Sequence, residues 1–126
     1  MILRPRLTEL SIALVSAREM SSLHSTFLGK RGPTDVITFP LETDRRGRIT
    51  GGEVVACVDV ARKNAPRHGV PLRSELLLYC LHGMLHLCGL DDRTARQFSR
   101  MHRTEDQILA RLGIGPVFGL SARRRK

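Results

Sequence analysis

The chain has 126 residues and a formal charge of +9, from 21 Lys and Arg against 12 Asp and Glu. That length suits one compact domain with a single core, and 41% hydrophobic content excludes a disordered basic tail. No apolar run approaches the ~20 residues of a membrane-spanning helix, and the opening apolar segment is too short for a secretory signal, so a cytoplasmic protein is expected.

Leu10 to Val15 reads as a short apolar strand. Ser16 offers an N-cap to a helix running to about Phe27, with Met20, Leu23 and Phe27 at helical spacing and Gly29 ending it. Lys30-Arg31-Gly32-Pro33 is a basic turn. Asp35 to Phe39 reads as a strand stopped by Pro40, and the polar stretch Glu42 to Arg48 as a surface connection. Glu53 to Val58 is a buried strand, after which Asp59 is expected to cap a helix reaching about Arg67. Gly69 and Pro71 break the chain before the next element.

Ser74 to Leu87 has helical length and propensity, and Leu76 to Leu81 leaves it no wide polar face, so it belongs in the middle of the domain. Gly89 stops it. A last helix is expected from about Arg93 to Leu112, with Phe98, Met101, Ile108 and Leu112 forming its apolar stripe and Gly113 terminating it. The pattern predicts a small α/β (α+β) fold with a mixed sheet of about four strands and four to five helices. It forms a single domain over residues 1–120, and 121–126 is a mobile basic tail. The three cysteines, Cys57, Cys80 and Cys88, cannot all pair and form no CxxC, so they are expected as buried free thiols.

His82 and His86 lie four apart on the buried helix. Four residues advance a helix by roughly 400° and 6 Å, so both imidazoles leave one face and can meet one ion. The glycine three residues after His86 turns the chain, and Asp92 can return as a third ligand. Two imidazoles and one carboxylate suit a divalent ion, zinc first, with a fourth position for water. Burying two unliganded imidazoles in the most apolar segment would be costly, which favours a metal over structural histidines. The spacing is also that of the metzincin proteases, but they need Glu directly after the first His and this chain has Gly83, which disfavours a protease.

The run His82-Gly83-Met84-Leu85-His86-Leu87-Cys88-Gly89-Leu90-Asp91-Asp92 resembles the HGxLHLxGYDH signature of the YbeY family. Gly32 to Pro40 resembles that family's PTDVLSFP block, and Gly52-Glu53-Val54-Val55 sits where the family has a strand beginning LGDI. The three blocks keep the family's order over roughly residues 9 to 112. Asp92 stands where the family has its third ligand, a His, and Leu28 where it usually has an Arg before Gly-Lys.

The resemblance implies a metal-dependent endoribonuclease of single-stranded RNA, acting in maturation of the small-subunit ribosomal RNA and in ribosome quality control. Its partners would be ribosomal RNA and the small ribosomal subunit. His82, His86 and Asp92 would hold one zinc ion, while Lys30 and Arg31 would neutralise phosphate charge in the transition state. Glu53 and Asp59 are acids near strand ends to which no base role is assigned, and Asp91 either orients a ligand or caps the last helix, the cap being the expected role. The charge of +9 suits a polyanion whose binding weakens with salt. Aromatic content of 4% argues for recognition led by the RNA backbone. The alternative is a non-catalytic, RNA-binding ribosome-assembly factor with a structural metal.

Overall fold

The computed structural model describes residues 6–113, and the basic tail expected at 121–126 lies outside them. Strand β1 (Glu9–Val15) leads into helix α1 (Ala17–Leu28), the β2 (Val36–Thr43) and β3 (Ile49–Cys57) hairpin, and helices α2 (Val58–His68), α3 (Leu72–Leu87) and α4 (Ala95–Arg111). The sheet has three strands in the order β1-β3-β2, with β1 parallel and β2 antiparallel to β3. This is a mixed α+β arrangement with one strand fewer than the expected four, counted among the described residues.

Central strand β3 is apolar on both faces because both are covered. Val55 and Cys57 pack with Ile37 and with Met20 of α1, while Ala56 packs with Ala61 of α2 and Tyr79 of α3. A third cluster, Leu78, Leu81 and Leu85 with Met101 and Leu109, joins α3 to α4. Helix α3 therefore lies between the sheet and α4, which is where its nearly all-round apolar sequence has to go.

Two glycines set how close α3 comes to the sheet. A Cβ on Gly83 would stand 2.8 Å from Val54 Cγ1 and 3.0 Å from Thr38 Cγ2. One helical turn on, the Leu87 side chain fills the place a Cβ on Gly52 would occupy, at 2.8 Å. Gly83 thus lets the ridge carrying His82 and His86 sit directly on β2 and β3. No side chain fits where a metzincin would carry its Glu.

Several boundaries differ from expectation, each for a local reason. Pro40 does not stop β2, which is an edge strand. A missing N–H is tolerated there, and the register shifts between Pro40 and Thr43. Asp59 does not cap α2, which starts at Val58 behind Cys57. Its Oδ2 instead accepts the Ala17 N–H at 2.7 Å and ties the start of α1 to that of α2. Helix α3 begins at Leu72, two residues before Ser74. The last helix begins at Ala95, and Thr94, not Asp91, caps it by a capping box with Gln97. Its buried positions are Met101, Thr104, Glu105 and Leu109, whereas Phe98 and Leu112 of the expected stripe are exposed. The three cysteines are free; Cys57 is buried, and Cys80 and Cys88 are half-buried.

Candidate metal centre

The end of α3 shapes the site. Gly89 takes a φ of 99°, its N–H donates to His86 O, and the Leu90 N–H donates to Leu85 O. These are the two bonds of a Schellman motif, and buried Leu90 joins Leu85 in the core as that motif requires. The reversed chain carries Asp92 back over the last turn. Its Oδ2 lies 3.6 Å from His82 Nε2 and 3.7 Å from His86 Nε2, and the two Nε2 atoms are 3.1 Å apart. Ligands at the usual zinc distance of about 2.0–2.2 Å in a tetrahedral shell stand roughly 3.3–3.6 Å from one another. The triangle matches that spacing to within a few tenths of an ångström, so the donor set fits a small divalent cation.

Behind the triad stands Glu105 of α4, 0% exposed. Its Oε2 is 3.4 Å from His82 Nδ1 and its Oε1 is 2.7 Å from His102 Nδ1. A carboxylate facing Nδ1 keeps the proton on that nitrogen and leaves the Nε2 lone pair of His82 directed at the triangle. Burial works against the charge of Glu105, but His102 and His82 outweigh it and hold its carboxyl below the ordinary range. Burial likewise opposes protonation of His82, and Glu105, with Asp92 and Asp35 behind it, raises its pKa nonetheless. Glu105 is the residue of the candidate site that local motif reading misses. Its signal is a carboxylate in the buried register of an amphipathic helix, between Met101 and Leu109.

A cleft of about 280 Å³ opens beside the triad, lined in part by His82, Asp92, Glu105, Phe98 and His102. Its lining also includes a second polar cluster that the sequence does not announce. Glu75, also 0% exposed, lies 2.7 Å from His68 Nδ1, and Asn64 donates to the Tyr79 hydroxyl at 3.2 Å. Burial pushes the Tyr79 phenol well above its usual value, Asn64 opposes that, and Glu75 adds to it.

Lys30 and Arg31 do not line this cleft. Both are exposed on the turn after α1, a turn pinned by His24 Nδ1 donating to Gly32 O at 2.9 Å. Asp91 supports the ligand loop instead of a helix. Its Oδ1 accepts the Asp92 N–H at 2.8 Å, and its Oδ2 lies 3.3 Å from Arg93. Glu53 is not among the cleft residues.

With this geometry in place, the comparisons with known proteins are specific. The family model Endoribonuclease YbeY matches residues 3–113. The chain is 38% identical over 114 residues to Endoribonuclease YbeY of Frankia casuarinae, covering 82% of this chain and 57% of that protein. It is 37% identical to Endoribonuclease YbeY of Thermobifida fusca, covering 82% of this chain and 72% of the relative. The chain thus spans between about half and three quarters of the length of these relatives. The solution structure of TM1509 from Thermotoga maritima superposes with a TM-score of 0.57 at 28% identity, over 86% of this chain and 73% of that one. By sequence and by fold, the chain belongs to the YbeY endoribonuclease family.

Proposed function

We propose that this protein is a divalent-metal-dependent endoribonuclease that cuts single-stranded ribosomal RNA in the cytoplasm, during maturation and quality control of the small ribosomal subunit. One observation carries the reading: His82 Nε2, His86 Nε2 and Asp92 Oδ2 converge within 4.8 Å in a chain of this family. In the reading, these three side chains hold one ion, zinc first. When bound, such an ion supplies Lewis acidity toward a phosphoryl oxygen and a lowered pKa for water.

The rest of the task falls to the chain's own groups. Glu105 fixes the tautomer and ring orientation of His82, so that the ligand does not have to reorganise as charge builds. Asp91 holds the backbone of Asp92. Lys30 and Arg31, outside the cleft, engage phosphates of the same strand, and the charge of +9 draws RNA to the surface. Asp92 in place of an imidazole adds a negative charge to the ligand set, which holds the cation more strongly and makes it a weaker Lewis acid.

A second reading, a ribosome-assembly factor that binds RNA without cutting, draws on two observations. Leu28 stands where an Arg is usual and is 51% exposed, and among the described residues no Lys or Arg lines the cleft. Incubation of zinc-reconstituted protein with single-stranded fragments of small-subunit ribosomal RNA separates the two. Cutting by wild type that disappears in His82→Ala supports the nuclease; salt-sensitive binding with no cutting supports the factor.

A further inference from the structure

Among the described residues, twelve line the cleft; they include four carboxylates, Asp35, Glu75, Asp92 and Glu105, and no Lys or Arg. Glu75 and Glu105 are offset by imidazoles, and Asp35 accepts the Val36 N–H at 2.8 Å. Among the described residues no cation of the lining draws a phosphate inward, and exposed Asp35 with half-buried Asn64 suits an uncharged group rich in hydrogen-bond donors. The volume, about 280 Å³, is near the lower end of small-molecule sites, a size suited to a single nucleoside.

One wall offers a π surface. Phe98 is 43% exposed on the first turn of α4, six residues beyond Asp92. Its ring meets His102 edge-to-face at 4.1 Å between centroids, and His102 stacks on His82 at 6.1 Å with an interplanar angle of 18°. Part of this large aromatic is open to solvent, and the row of rings behind it links it to the candidate ligand His82.

We infer that the cleft is a nucleoside pocket, in which the base next to the cleaved phosphate stacks on Phe98 while its amino or imino hydrogens face the accessible acceptors of the lining, Asp35 and Asn64. The inference rests on the RNA reading above and adds to it the subsite and the residue that grips the base. Phe98 is a substrate-contacting residue here, not part of the metal centre.

Short single-stranded RNAs with one cut site, intact or with one abasic nucleotide at each flanking position in turn, test it against wild type, Phe98→Ala and Phe98→Tyr. Stacking of this kind is worth roughly 5- to 150-fold in binding. Phe98→Ala should raise KM by that factor with kcat nearly unchanged and one equivalent of metal retained, and Phe98→Tyr should restore it. At one flanking position the abasic substrate should cost wild type the same factor and cost Phe98→Ala nothing further. An unchanged KM in Phe98→Ala, or penalties that multiply at every position, overturns the pocket. If wild type cuts nothing, the nuclease reading fails separately. The pocket is then read by binding of a 2-aminopurine-substituted RNA, whose fluorescence should change at one position with wild type and not with Phe98→Ala; no difference between the two proteins overturns it.

Discussion

Two buried glutamates, each paired with histidine, line the same cleft and have different consequences. Glu75 of α3 meets His68 of α2 at 2.7 Å, and Glu105 of α4 meets His102 at 2.7 Å and His82 at 3.4 Å. Both are 0% exposed, and each ties two stretches of helix together. Only Glu105 touches an imidazole whose other nitrogen faces further ligand atoms, at 3.1 Å and 3.6 Å. A buried carboxylate–imidazole pair is therefore a structural clamp by default. It becomes part of a metal centre when the ring it holds also looks outward at converging donors.

The largest effect is expected at the candidate ligand His82. His82→Ala should abolish stoichiometric metal binding and reduce RNA cutting to background, measured by elemental analysis and gel assay on the same sample. Retained metal at one equivalent would remove His82 from the centre.

Glu105→Gln and Glu75→Gln sharpen the contrast. Each weakens a buried carboxylate–imidazole contact and should cost about 1.5–3 kcal/mol of metal-free stability in denaturant titrations. Only Glu105→Gln should also weaken metal affinity, by roughly 10- to 100-fold. Equal affinity losses in the two variants would mean that the clamps are equivalent.

Gly83→Ala should come next. Alanine gains about 1 kcal/mol of helix propensity, but its methyl meets two methyls of fully buried Val54, and overpacking costs about 1–3 kcal/mol. The expected net loss is about 1 kcal/mol, with weaker metal binding as α3 lifts from the sheet. A stabilised variant with unchanged affinity would show that the close approach is not needed.

The smallest effect lies far from the cleft, in the β2–β3 turn. Asp44 Oδ1 accepts from Arg48 N and Arg46 N at 2.9 Å each, and Arg48 Nε lies 2.8 Å from Oδ2. The backbone bond from Arg48 leads in lowering its pKa below 3.8. A carboxyl depressed in the folded state stabilises above its unfolded value, and that contribution is lost as pH falls through the folded one. A small melting-temperature difference between wild type and Asp44→Asn at neutral pH should therefore vanish in strong acid. A difference that grows in acid would contradict the assignment.

What the sequence disclosed was what is local. The His82/His86 spacing, the glycine turn and Asp92 fall within eleven residues, and helix geometry with the Gly89 reversal brings them together. The capping box of Ser16 with Glu19 and the stop at Gly29 are local as well. Glu105 is out of reach of such reading because it approaches His82 only through the packing of α4 on α3. Phe98 and Leu112 share the helical period of Met101, but the side of α4 that α3 covers carries Met101, Glu105 and Leu109, so residues at the helix ends stay exposed. Pro40 misleads for a similar reason. Whether a strand tolerates proline depends on which of its edges is paired, and sheet order decides that.

The central claim is that three side chains from one helix and its turn share a single cation. Titration of metal-free wild type and the His82→Ala/His86→Ala/Asp92→Ala variant with cobalt(II), followed by visible absorption, tests it most directly. The account predicts intense tetrahedral bands saturating at one equivalent in wild type and absent in the variant. Identical spectra in the two proteins, or no saturation at one equivalent in wild type, would contradict it.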